Sequence, residues 1–204
     1  MAREISTQRV DLQALISSPE LLALRRISLG TINHPGLPPR KYLSGGLTLT
    51  GDERARIESR LAQLREISEA DDSTDNRKSR LGLVANMLMA YPMAGGSEES
   101  GRARANAYLA ALDDLPPWAI ADAIRNWHRG EGGGPNASYR FAPAPAELRY
   151  AVMQILQPAK QTIAHLDAVL TALTIEQAMD PRPIPPKQIA HESGRVISIG
   201  TRRM

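Results

Sequence analysis

The chain has 204 residues, 42% of them hydrophobic but only 4% aromatic, and a formal net charge of +3. That length suits one domain, with or without arms, and the apolar share is enough to bury a real core. Cysteine is absent, which excludes disulfides, thiolate metal sites and cysteine nucleophiles.

No apolar run is long enough to span a bilayer, and the opening MAREISTQRV lacks the apolar centre of a signal peptide, so a soluble cytoplasmic protein without a membrane partner is expected. The charge is uneven. Residues 181–204 carry a net +4 and the remainder sums to about −1, so the basic balance belongs to a tail and gives only weak support for a DNA-binding face.

In chain order, Ser18 before Pro19 and Glu20 signals a helix start, followed by Leu21, Leu22 and Leu24. From Gly30 to Gly51, five glycines and three prolines read as an extended loop or arm. Thr50 opens a helix over 52–69 in which Ile57, Leu61, Leu64 and Ile67 form a narrow apolar stripe, suited to one partner helix in this chain or in a second copy. The polar run at 69–79 marks a boundary, so an N-terminal arm is expected over 1–75 and a helical core domain over 76–179.

Within that core, Leu81, Val84, Met87 and Leu88 share a face, and Tyr91-Pro92 ends their helix because the residue before proline avoids the helical region. Ser97 caps an alanine-rich helix running to about Leu112. Asp114 is expected to cap the next, with Pro116 and Pro117 in its first turn and Trp118, Ala121, Ile124 and Trp127 on its inner side. Glycines 130, 132, 133 and 134 form a flexible connection to Phe141-Ala142-Pro143. One helix then carries Leu148, Ala151, Val152, Ile155 and Leu156, and another, after Pro158, carries Ile163, Leu166, Val169, Leu170 and Leu173.

Residues 180–204 read as a disordered basic tail behind a proline-rich spacer. The only strand-like stretch, Val196 to Ile199, stands alone there and would need a partner chain. The expected class is therefore all-α, a small helical bundle with an N-terminal helical arm and the tail.

Seven of the eight aromatics lie between Tyr91 and Tyr150, which places the best-specified core in that window. Trp118 and Trp127 read as core, each indole N–H needing an acceptor such as a loop carbonyl near Tyr139 or Phe141. The Phe141 ring is expected to anchor the returning loop onto the tryptophan helix.

Chemistry is sparse. No phosphate-binding loop of the GxxxxGK[ST] kind occurs, the four histidines lack ligand spacing, and the paired carboxylates sit at helix starts or in a linker. No cofactor, metal or catalytic residue is expected. Arg77, Lys78, Arg80, Arg102 and Arg104 offer possible phosphate contacts, but interleaved acids make a solvated face the better reading.

The series Leu88, Tyr91-Pro92, Tyr108-Leu109, Leu112, Leu115-Pro116, Trp118, Ala121, Ala123, Trp127, Phe141-Ala142-Pro143 and Ala146-Glu147-Leu148 resembles the loaders and loader-inhibitors that bring a hexameric replicative helicase to a phage or prophage origin. The match spans about 70 residues, and FAPAPAEL is its most specific piece. The resemblance implies a non-enzymatic adaptor: a helical body with a C-terminal segment that grips the helicase, answering to an origin-binding initiator. The absent phosphate loop leaves only the type without nucleotide chemistry. From the tail's composition, partner contact is expected at Ile184, Ile189, Val196, Ile197 and Ile199, flanked by Arg195, Arg202 and Arg203. A DNA-binding or packaging adaptor, and a self-associating protein built on the 52–69 helix, are the alternatives.

Overall fold

The computed structural model describes residues 12–71, 73–91 and 97–182. Pro92 and the tail residues from Ile184 to Arg203 lie outside the described residues, as does the expected Val196–Ile199 strand. In chain order the elements are α1 (residues 12–16), α2 (Pro19–Arg25), β1 (Leu29–Ile32), β2 (Arg40–Leu43), a 3-10 turn (Ser44–Gly46), α3 (Gly51–Ser68), α4 (Thr74–Met89), α5 (Glu98–Leu112), α6 (Pro117–His128), α7 (Pro145–Thr171) and α8 (Ile175–Met179). This is an all-α bundle with one small antiparallel hairpin.

The helix starts follow local chemistry. Ser18 accepts from the Leu21 N–H, Ser73 from Asn76 and Ser97 from Ser100, while Thr50 and Glu53 form a reciprocal capping box. The glycine-rich stretch read as a loop instead contains the β1–β2 hairpin, with Leu29 opposite Leu43 and Gly30 opposite Tyr42. Its strands are four residues each, too short to show an alternating pattern. They are held in place by Leu43, which is buried, and by the Tyr42 ring lying over Gly30, where a Cβ would collide with it.

The stripe on α3 finds its partner within the chain. Ile57, Leu61 and Leu64 are buried, and α3 packs along α7. Each such side chain contributes about 1.5–3 kcal/mol on full burial. The described part of the expected arm is thus no separate arm: Leu12, Leu21, Leu43, Ile57, Leu61 and Leu64 belong to the same apolar cluster as Trp118, Leu148 and Leu166. Residues 74–79 of the polar run belong to α4, and the Trp118 indole N–H donates to the Ile67 carbonyl at 2.8 Å, tying the end of α3 to α6.

Helix α6 sits at the centre, buried on nearly every side and packed against both α4 and α7. Asp114 does not cap it. Pro116 is the N-cap and Pro117 the first helical residue, whose missing N–H costs nothing there, and Asp114 instead pairs with Arg149 on α7. On α4 the inward stripe is Arg80, Val84, Met87 and Leu88. Leu81, expected inside, is 46% exposed, while Arg80 is buried and donates to the Leu115 carbonyl at 3.4 Å. Buried Asp122 on α6 pairs with Arg125, one turn on, at 2.7 Å.

The two helices expected around Pro158 are one. Helix α7 runs 27 residues through the proline, which leaves the Gln154 carbonyl without its usual in-helix donor. Leu148, Val152 and Leu156 before the proline and Ala159, Leu166 and Val169 after it are all buried in one core. That continuous burial outweighs the penalty of about 3 kcal/mol for an interior proline.

Candidate partner-binding surface

Of the residues that carry the resemblance, Tyr108, Trp127, Phe141, Pro143, Glu147 and Leu148 meet at the return of the chain from α6 into α7. Helix α6 closes with the Gly130 N–H bonded to the Trp127 carbonyl and the Glu131 N–H to the Asn126 carbonyl, a Schellman arrangement that needs the positive φ of Gly130 (76°). The loop then folds over Trp127. The Tyr139 ring packs on that indole with centroids 4.8 Å apart at 58°, and the Tyr139 hydroxyl accepts from the Gly133 N–H at 3.0 Å. Gly133 has no room for a side chain, since a Cβ there would run into Ala137 and the Tyr139 hydroxyl.

Two buried aromatics hold the loop's far end by its backbone. Trp127 donates its indole N–H to the Phe141 carbonyl at 3.0 Å, and the Tyr108 hydroxyl donates to the Pro143 carbonyl. Burial is the main cause raising the Tyr108 pKa above 10.0, consistent with a hydroxyl kept neutral and donating. Glu147 then accepts from the Ala144 N–H at 2.6 Å, and Pro145 occupies the first turn of α7, so the prolines and the glutamate of FAPAPAEL start a helix while Leu148 enters the core. An indole donor bonded to a loop carbonyl was legible in the sequence. The role expected for the Phe141 ring was not correct: it stands 66% exposed, and Tyr139 does the packing. Trp127 is already 1% exposed with the Tyr139 ring against it, so the Phe141 ring would add little to its burial.

Beside this junction lies a shallow groove of about 390 Å³ between loop residues Gly134 to Ala137 and the first turns of α7 at Ala146, Glu147 and Tyr150. Tyr150 is 47% exposed, so two aromatic rings, Phe141 and Tyr150, face solvent along the same loop-to-helix return. Large exposed rings on a backbone held by buried donors are an unusual use of apolar area, because neither contributes its full burial to the fold. Arg129 and Arg140 on the loop make no ion pair among the described residues, whereas Arg149 is committed to Asp114 at 2.8 Å through its second nitrogen. That bond lowers the Asp114 pKa and raises that of Arg149, in both cases as the leading cause.

Another residue of the series, Tyr91, stacks on His128 with ring centroids 5.5 Å apart and 11° between planes, and a hydrogen bond of 3.2 Å joins the hydroxyl to Nδ1. This ties the end of α4 to the end of α6. Among the described residues, no three histidine or acidic side chains gather where they could hold a metal ion, and no helix is long and apolar enough to cross a membrane.

The fold and this junction define the class of the molecule as a helical bundle with a hairpin docked on it. Compared with models of protein families, with curated proteins and with solved structures, the chain matches none.

Proposed function

We propose that the protein is a replication adaptor of the phage type, which binds a hexameric replicative helicase and loads or restrains it without nucleotide chemistry of its own. The observation that carries this reading is the exposure of Phe141 on a loop whose backbone is gripped by Trp127 and Tyr108. With the backbone held before binding, only the rotamers of the ring itself remain to be ordered on contact, which favours its use as an anchor. The resemblance supplies the identity of the partner, and its most specific segment is the one that builds this display. The C-terminal tail, with Ile184, Ile189, Val196, Ile197 and Ile199, remains part of the proposal as a second contact, with an initiator as a further partner.

The test mixes the full chain with the hexameric helicase of its own host in size-exclusion chromatography, alongside Phe141→Ala, Tyr150→Ala and a chain ending at residue 182. Co-elution that weakens about tenfold or more in the aromatic variants supports the reading. Absence of co-elution by the parent chain refutes it. Duplex binding that falls steeply with salt, without any helicase, would favour the DNA-binding alternative.

A further inference from the structure

The segment after α7 is held to the body in a way its sequence does not announce. Helix α7 stops at Ala172, and Leu173 adds itself to the free edge of β2: its N–H donates to the Lys41 carbonyl at 3.0 Å and its carbonyl accepts from the Leu43 N–H at 3.2 Å. Helix α8 follows with a Thr174–Gln177 capping box, but it is five residues long and buries only Ala178, while Ile175 and Met179 are exposed. A helix this short has no stability of its own in water.

What holds it is the hairpin. Arg40, only 7% exposed, directs its guanidinium at the carbonyls of Gln177 (3.4 Å), Asp180 and Arg182 (2.7 Å). His34, in the turn before β2, donates from Nε2 to the Ala178 carbonyl at 2.7 Å. Four carbonyls at the C-terminal end of α8 thus receive donors from one hairpin, and the guanidinium meets the negative end of the helix dipole. Among the described residues Arg40 has no hydrogen bond to a carboxylate; the nearby Asp180 is bonded to Arg182 instead.

We infer that residues 172–182 form a strap latched to the β1–β2 hairpin, with Arg40 as the positioning residue that fixes where the chain continues into residues 183–204, and that the strap lets go as one unit. The contacts are interdependent. Loss of the Leu173 pairing frees the start of the strap, and loss of Arg40 strips three carbonyls of their donor at once. Few apolar contacts resist release, because Ala178 is the sole buried side chain of α8. The latch lies at the end of α7 opposite the groove beside Tyr150, about 30 Å away along the 21 rises of 1.5 Å from Tyr150 to Thr171. The inference does not rest on the partner reading, since it concerns only how the chain holds its own C-terminal segment.

Amide hydrogen exchange on the full chain tests it. Arg40→Ala is expected to speed exchange at Leu173, Ala178 and Asp180 together by about tenfold or more, with the α6 and α7 amides unchanged. Arg40→Lys, keeping charge without the planar fork, should recover only part of the protection. Leu173→Pro leaves no amide at 173 but removes the donor to Lys41 and should speed exchange at Ala178 and Asp180 alike; it fits there because Ala172 already has the extended backbone (φ −64°, ψ 143°) that a following proline requires. Unchanged exchange in both Arg40→Ala and Leu173→Pro, or acceleration spread through α6 and α7, would overturn the latch.

Discussion

Trp127 donates its indole N–H to the carbonyl of Phe141 at 3.0 Å, while the ring of Phe141 faces solvent. Backbone and side chain of one residue thus have separate duties, the first structural and the second free for contact. Trp127→Phe keeps a buried ring but deletes the donor, and is expected to cost about 1–3 kcal/mol in urea unfolding. Phe141→Ala should stay within about 0.5 kcal/mol of the parent, because its carbonyl remains in place.

Gly30 lies beneath the Tyr42 ring with no space for a methyl group. Gly30→Ala should destabilise by about 1–3 kcal/mol, the usual cost of overpacking, and a thermal melt followed by circular dichroism reads it. Gly36, with open space but a φ of 76°, should tolerate alanine less for lack of room than for backbone strain.

Pro158 occupies an exposed position inside α7. Pro158→Ala restores an N–H for the Gln154 carbonyl, so a gain of about 1–3 kcal/mol is expected, seen as a melting temperature several degrees higher. A lower melting temperature would mean that the core is adapted to a bend at the proline.

Leu61 is 4% exposed against α7. Leu61→Asp buries a carboxylate without a partner and should cost about 3 kcal/mol or more, unfolding the chain instead of merely separating copies of it. Denaturant titration at several protein concentrations distinguishes the two, since a midpoint independent of concentration points to an intramolecular contact.

The Asp114–Arg149 pair depresses a carboxyl pKa, so its contribution is complete above the ordinary aspartate value of 3.8 and is lost as pH falls through the lower value in the fold. With side chains 39% and 54% exposed, the pair contributes less than about 1 kcal/mol. The stability difference between Asp114→Asn and the parent should be constant near neutrality, begin to shrink near pH 3.8 and vanish only below the lowered value in the fold.

The sequence by itself determined the helical class, the starts at Ser18, Thr50 and Ser97, the stripe on α3 and the need of each tryptophan for an acceptor, because capping and 3.6-residue periodicity act over one or two turns. Tertiary structure alone decided that α7 passes through Pro158, that Arg80 points inward in place of Leu81, that Asp114 serves Arg149, and that four-residue strands form a hairpin able to hold α8. These outcomes depend on contacts between residues far apart in the chain, His34 with Ala178 and Arg40 with Arg182 among them. A local pattern carries no record of such partners, and burial against a common core is strong enough to override the propensity of a single proline or glycine.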